Sequence, residues 1–161
     1  MRRNGSPVLL SLGSNQGDRL KNLLSGLRAI DRLPGTRVVR VSRVYETAPV
    51  GGPRQRDYLN LCAAIRTRLS PMGLLAHLKR VEASLGRKPG RRRAPRPFDA
   101  DILFHGRRRL RTPFLTVPHP EISRRRFVVI PLAELGRSAR LNGSGQNVTV
   151  FASAPSEKWK K

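Results

Sequence analysis

Asp99 and Asp101 are the residues whose types and spacing most plainly invite chemistry. They are the only acids in a span from Arg87 to Arg111 that holds ten basic residues. Phe98 to Phe104 reads as a strand entered from the turn Pro95-Arg96-Pro97. On a strand, residues i and i+2 share a face, with Cα atoms roughly 6.5–7 Å apart. Two carboxylates so placed can each hold a hard cation, or share a pair of cations about 3.5–4 Å apart. Phe98, Ala100 and Ile102 then point the other way, into a core. A bare Asp-x-Asp is more often two solvated acids on an edge strand. Here the surrounding positive field, Arg96 just upstream and Pro118-His119-Pro120 downstream point instead to Mg²⁺ carrying a polyphosphate.

The elements that must hold this pair are bounded by composition. A chain of 161 residues with 38% hydrophobic content is expected to form a single domain, residues 1–161. Its core should lie at about 7–135, with 136–161 a polar, weakly patterned C-terminal extension. A formal net charge of +23 calls for an anionic partner, either a phosphorylated small molecule or nucleic acid. The single Cys62 sits in an apolar stretch, which excludes a disulfide framework or thiolate metal cluster and suits buried packing. The apolar run after Met1-Arg2-Arg3 is too short for a signal segment, and no stretch is long enough to span a bilayer. The expectation is a cytoplasmic protein with no membrane partner.

Along the chain, Val8 to Leu12 reads as a strand and Gly13-Ser14-Asn15-Gln16-Gly17-Asp18 as a turn. That turn either seats a phosphate on backbone N–H groups or simply caps the next helix through Asp18. Leu20, Leu23, Leu24, Leu27 and Ile30 recur at helical spacing, and Pro34-Gly35 ends the helix. Arg37 to Tyr45 is expected as one strand, followed by a loop with a Gly51-Gly52-Pro53 tip. Tyr58 to Leu69 is the next strand, with Tyr58 and Asn60 on one face. An Asn beside an aromatic suits a flat heterocycle, because its amide donates and accepts at once. Ser70 at the N-cap, Pro71 at N1 and Gly86 past the end punctuate a second helix, buried through Leu74, Leu75, Leu78, Val81 and Leu85. Lys79 and Glu82 share its outer face and can pair. A Gly/Pro/Arg loop then leads to the acidic strand.

The order strand–helix–strand–strand–helix–strand fits an α+β class, a ferredoxin-like βαββαβ sandwich with extra C-terminal elements. Five blocks occur in register: Gly13-Ser14-Asn15, Tyr45-Glu46-Thr47-Ala48-Pro49-Val50-Gly51, Tyr58-Leu59-Asn60, Pro95-Arg96-Pro97-Phe98-Asp99-Ala100-Asp101-Ile102-Leu103 and Pro118-His119-Pro120. With these the chain resembles the 6-hydroxymethyl-7,8-dihydropterin pyrophosphokinase family of folate biosynthesis, over about residues 7–135. The resemblance implies an ATP-dependent transferase that moves diphosphate from MgATP to the hydroxymethyl group of a reduced pterin and releases AMP. It further implies that Asp99 and Asp101 hold two Mg²⁺ ions. Glu82, Arg87, Arg96, His119 and Arg125 would contact the nucleotide or its phosphates. Thr47, Ala48, Val50, Tyr58, Asn60 and Phe127 would enclose the pterin. Arg87, Arg96 and Asp101 would act in the transfer itself, and loops 46–57 and 87–97 would close over the substrates. No residue stands out as general base, although Asp101 is available as one.

The chain departs from the family pattern in its lid. Arg92-Arg93-Ala94-Pro95-Arg96 stands where Arg-Trp-Gly-Pro-Arg is usual, so Arg93 replaces an aromatic. Ala100 replaces Leu, Lys88 or Pro89 falls where a second phosphate-contacting Arg is frequent, and Lys79 replaces Gln. Two other readings compete: a basic ferredoxin-like nucleic-acid-binding module, and a family member that has lost activity. The first lacks the exposed aromatic run such a module needs among its eight aromatics. Intact Asp99, Asp101, Asn60, Arg96 and His119 weigh against the second. The chain is further expected to be a monomer whose charge leaves room for non-specific affinity toward nucleic acid.

Overall fold

The computed structural model describes residues 5–90, 92–136 and 148–155. At its centre is strand β1 (Ser6–Ser14), whose Val8, Leu10 and Leu12 are buried on one face. The elements then follow the expected order: helix α1 (Arg19–Asp31), β2 (Thr36–Val41), β3 (Val44–Thr47), β4 (Tyr58–Thr67), helix α2 (Pro71–Ser84) and β5 (Asp99–His105). β1 pairs antiparallel with β4 on one side and with β5 on the other. β2 and β3 share the far edge of β4, giving the sheet order of a ferredoxin-like sandwich. A small hairpin, β6 (Leu110–Arg111) with β7 (Thr116–Val117), follows β5. Helix α3 (Arg126–Glu134) comes next, and β8 (Val148–Ala152) adds to the outer edge of β3. The weakly patterned extension thus supplies a strand of the main sheet. Its two Asn-x-Ser/Thr sequons, at Asn142 and Asn147, lie outside the described residues. Among the described residues no helix is long and apolar enough to cross a membrane.

The strand expected as a continuous run from Arg37 to Tyr45 is broken at Ser42-Arg43. Ser42 is buried; its backbone N–H donates to Cys62 O at 2.9 Å, and its Oγ accepts from Cys62 N at 2.9 Å. The side chain replaces a carbonyl in the ladder, so the backbone bends away while β4 stays paired. A bulge between Val38 and Arg40 precedes the break and leaves Val39 exposed.

The two sheet faces are covered unequally. On one, Leu23, Leu27 and Ile30 of α1 and Leu74, Leu78 and Val81 of α2 pack over Leu10, Leu12, Leu61, Ala100 and Ile102. The helices begin where the sequence places them: Asp18 Oδ1 accepts from Lys21 N, and Ser70 Oγ accepts from Gly73 N, with Pro71 in the first turn. On the other face, α3 and a 3-10 turn (Ile122–Arg124) cover Cys62 and Leu103 through Ile122, Val128, Val129 and Leu132. α3 is short, so the end of this face nearest Asp99 stays open as a cleft.

Phe98, at the mouth of the acidic strand, is fully buried against Gly26 of α1. A Cβ on Gly26 would run into the Phe98 ring at Cε2 and Cζ. Gly26→Ala is therefore expected to destabilise the fold by about 1–3 kcal/mol, because a rigid ring must move within a packed core. Urea unfolding measures it, and an unchanged midpoint would show that α1 does not pin Phe98.

Candidate active site

The pleat of three adjacent strands builds the cleft floor. In register, Gly13 of β1 stands between Asp99 of β5 and Asn60 of β4, and Ser11 stands beside Asp101. Side chains at these alternate positions share one face, so Asp99, Asp101, Ser11, Tyr58 and Asn60 converge as the Asp-x-Asp spacing suggested. Thr47 on β3 pairs with Tyr58 and completes the row. Asn60 is buried, and its Nδ2 donates to Thr47 Oγ1 at 2.8 Å. Gly13 is required here: a Cβ would stand 2.9 Å from Asn60 Oδ1 and 3.4 Å from Tyr58 Cδ1. The floor is flat because the central strand carries no side chain at that point.

The cleft has a volume of about 750 Å³. The loop after β3 walls it with Ala48, Pro49, Val50 and Gln55, and the start of α3 contributes Arg125 and Phe127. All six residues expected to enclose a pterin (Thr47, Ala48, Val50, Tyr58, Asn60 and Phe127) line it, together with Asp99, Asp101, Arg96 and Arg125. A smaller cavity of about 230 Å³ opens alongside, lined by Arg87, Lys88, Pro89, Gly90, Ala94, Pro95 and Arg96. Arg96 borders both cavities.

Guanidinium groups occupy the acids. Asp99 Oδ1 lies 2.7 Å from Arg87 Nη1 and 3.2 Å from Arg96 Nη1, and Asp101 Oδ2 lies 3.7 Å from Arg125 Nη1. Burial first, and then the charge of Asp99, push the Asp101 carboxyl up to about 6. A third of its side chain still faces the cleft. Tyr58 is also raised, by burial foremost, while Arg96 opposes the shift.

Glu82, Arg87 and His119 stand behind the large cleft rather than on its wall. Glu82 is buried; its Oε1 accepts from Ala100 N at 3.0 Å, and its Oε2 takes Arg87 at 2.6 Å and Lys79 at 3.4 Å. It therefore clamps the peptide between the two aspartates. His119 donates its backbone N–H to Leu103 O at 2.9 Å, and its Nδ1 accepts from Glu121 N at 3.1 Å. Burial and then the Arg125 charge lower its pKa, keeping the imidazole neutral.

Asn15 belongs to the turn whose role the sequence left open. It is buried and joins three segments. Its Oδ1 accepts from Arg96 N at 2.8 Å, and its own N–H donates to Arg96 O at 3.0 Å. Its Nδ2 donates to Gln55 Oε1 at 2.6 Å and to Arg56 O at 3.2 Å. The turn after β1 thus fixes the backbone of Arg96 and the root of the opposing loop. Arg93, in place of an aromatic, rests on the Gly51-Gly52 tip, and its carbonyl accepts from Gln55 Nε2 at 2.9 Å. Its φ of +63° is tolerated only because these contacts define it. Arg91 of the same loop lies outside the described residues. Ser11, Gln55, Glu121 and Arg124 also line the cleft without having been singled out, as do Gly13, read as the start of a turn, and Arg93, read as a lid residue. For Ser11 and Gly13 the signal was present: they are alternate residues of the strand that lies beside the acids.

The family model for 7,8-dihydro-6-hydroxymethylpterin-pyrophosphokinase (HPPK) matches residues 9–137. The chain belongs to this family. Its relatives agree: it is 38% identical over 150 residues to the 2-amino-4-hydroxy-6-hydroxymethyldihydropteridine pyrophosphokinase of Pseudomonas aeruginosa, covering 93% of each chain. It is 38% identical to the protein of the same description from Haemophilus influenzae, covering 84% of each. It is also 45% identical over 128 residues to the mitochondrial folate synthesis bifunctional protein of Pisum sativum. There the match takes in 80% of this chain but only 25% of the longer protein. Among solved structures, an HPPK-DHPS protein superposes with a TM-score of 0.64 at 14% identity, over 81% of this chain and 40% of that one. The likeness is one of fold, and it bears out the ferredoxin-like HPPK architecture. As a member of this family the chain is a pyrophosphokinase, a transferase of folate synthesis.

Proposed function

We propose that this pyrophosphokinase transfers the terminal diphosphate of MgATP to the hydroxymethyl oxygen of 6-hydroxymethyl-7,8-dihydropterin. The hydroxymethyl oxygen forms a bond to the β-phosphorus, and the bond from that phosphorus to the oxygen bridging to the α-phosphate breaks. AMP leaves with the bridging oxygen, and the hydroxyl proton passes to solvent or to Asp101. The observation that carries this reading is the cleft itself: paired carboxylates and arginines meet a flat Asn60–Thr47 floor under Phe127.

The donor set suits Mg²⁺. Asp99 and Asp101 offer hard oxygens, and among the described residues no cluster of three or more acidic, imidazole or thiol side chains forms a closed metal cage. Mg²⁺ favours such sites, taking one or two carboxylates and completing its shell with phosphate oxygens and water. Two bound Mg²⁺ ions would neutralise the triphosphate and acidify the hydroxyl. The chain's own residues supply the rest. Arg87, Arg96 and Arg125 sit on the carboxylates now, and exchange those partners for phosphate oxygens when nucleotide enters. Glu82 keeps the acidic strand in place through the Ala100 N–H as this happens. The loops held together through Asn15, Gln55 and Arg93 exclude water from the transfer.

The direct test incubates the purified chain with ATP, Mg²⁺ and the reduced pterin, and follows nucleotide products by anion exchange. Pterin-dependent AMP is expected. ADP in its place would mean single phosphoryl transfer, and no pterin-dependent product would overturn the reading.

Asn60 offers a second check. Removing its amide leaves Thr47 Oγ1 and the bound heterocycle each short of a buried partner. Asn60→Ala should weaken pterin binding by roughly 1–3 kcal/mol while leaving the ATP-analogue affinity unchanged. Isothermal titration of each ligand separately decides the matter; equal losses for both would make Asn60 a structural residue.

A further inference from the structure

We infer that the end of the sheet remote from the cleft is a nucleic-acid phosphate-binding surface, distinct from the catalytic site. β5 runs from Asp99 at the cleft to His105 at the far end, so the two ends stand about 20 Å apart at roughly 3.3 Å per residue. At that far end the register lines up four adjacent strands. Gly106 N donates to Pro7 O, Pro7 stands opposite Arg66, and Arg66 stands opposite Arg37. The row crosses three inter-strand steps of about 4.8 Å, or about 14 Å in all. Arg107, Arg108 and Arg109 follow Gly106 directly, and Arg68 follows Arg66 by two positions.

Charge is one-sided there. Arg37, Arg68, Arg107, Arg108 and Arg109 are exposed. Among the described residues no carboxylate lies within ion-pairing distance of any of these five; the described ion pairs engage Arg19, Arg43, Lys79, Arg87, Arg96, Arg124 and Arg125. Arg37 and Arg66 are directly opposed across two strands, an arrangement that costs stability unless an anion lies over it. The acids that could have neutralised the band are engaged elsewhere. Asp99, Asp101 and Glu121 line the cleft, Glu82 lies beneath it, and Glu134 holds Arg43 and Tyr45. Asp31, next to the start of β2, is turned onto Val38 N at 2.7 Å. None of these arginines is needed for the proposed transfer.

Two features select nucleic acid over an anionic bilayer. The band is built from arginine, whose planar fork matches phosphate oxygens two at a time. It is also strand-end and turn backbone, with no amphipathic helix to lie in a lipid interface. The exposed Phe114 at the tip of the β6–β7 hairpin offers a face on which a base can stack. A width of about 14 Å is enough to meet more than one phosphate of a strand without sequence reading.

The test uses the full chain and a fluorescein-labelled 20-nucleotide single strand, followed by anisotropy across a salt series. The variant Arg37→Gln/Arg107→Gln/Arg108→Gln, with a melting temperature no lower than the parent's, should bind at least about tenfold more weakly. Its log–log salt slope should be shallower by about 0.7 for each phosphate it no longer neutralises. Its AMP production and KM for ATP should match the parent. Saturating MgATP should leave oligonucleotide bound to the parent. Parent-like affinity in the triple variant would overturn the assignment, as would displacement of the oligonucleotide by MgATP, which would place it in the catalytic cleft. Anionic phospholipid vesicles that bind as tightly and compete would replace nucleic acid with a membrane surface.

Discussion

Asp101→Asn is expected to lower turnover by at least about 10²-fold, with the fold intact, and Asp99→Asn to do the same. The two carboxylates share one face of β5 and open into the same cleft. Either change removes a full negative charge from the pair proposed to hold divalent cations and leaves a neutral amide oxygen in its place. The two variants should differ in how they fail. Asp99 holds Arg87 at 2.7 Å and Arg96 at 3.2 Å, so its loss also releases two guanidiniums. Asp101 has the single, longer contact to Arg125 at 3.7 Å, so Asp101→Asn removes the carboxylate while releasing only one guanidinium. Thermal melts should show Asp101→Asn within a few degrees of the parent, and Mg²⁺ titrations should show weaker half-saturation. Near-normal turnover of Asp101→Asn at saturating Mg²⁺ would remove the metal role from this pair.

Arg96→Ala should lower kcat sharply, by at least about 10²-fold, and added salt should not mimic the loss. Its backbone is held at both polar groups by Asn15, and its side chain borders both cavities. A guanidinium so tethered can meet charge where it develops in the transition state. Arg92 and Arg93 belong to the lid loop, where Arg93 lies on Gly51 and Gly52. Replacing Arg91, Arg92 and Arg93 together by Ala should raise the apparent KM for ATP and flatten its salt dependence, with a modest fall in kcat. Exposed charges of this sort act over a screening length of about 8–10 Å at physiological salt. Both constants measured for both variants across a salt series separate the roles. Loss of kcat in the triple variant alone would reverse the assignment.

Several parts of the molecule were legible without coordinates because they depend on local rules. Asp18 and Ser70 cap helices whose apolar stripes have helical spacing, and Asp99 and Asp101 share a face because strand side chains alternate. The family blocks carried the activity class, since they are ordered along the chain. The positions of Tyr58 and Asn60 on one strand face follow from the same alternation.

What only the tertiary structure decided depends on which strands are neighbours and which contacts cross between loops. Gly13 flattens the cleft floor only because β1 lies between the strands that bear Asn60 and Asp99, a pairing no local pattern encodes. Ser42 interrupts the expected strand because its hydroxyl meets Cys62 N across the sheet. Glu82 read as an outer-face partner for Lys79; that pair forms at 3.4 Å, but the carboxylate is buried and also holds Ala100 N and Arg87. Asn15 reads as a turn residue, yet its four hydrogen bonds reach residues 40 and more positions away. The net charge was plain from composition, but its division into a cleft where arginines pair with acids and a distal band where they do not depends on strand register together with where the flanking loops and turns fall.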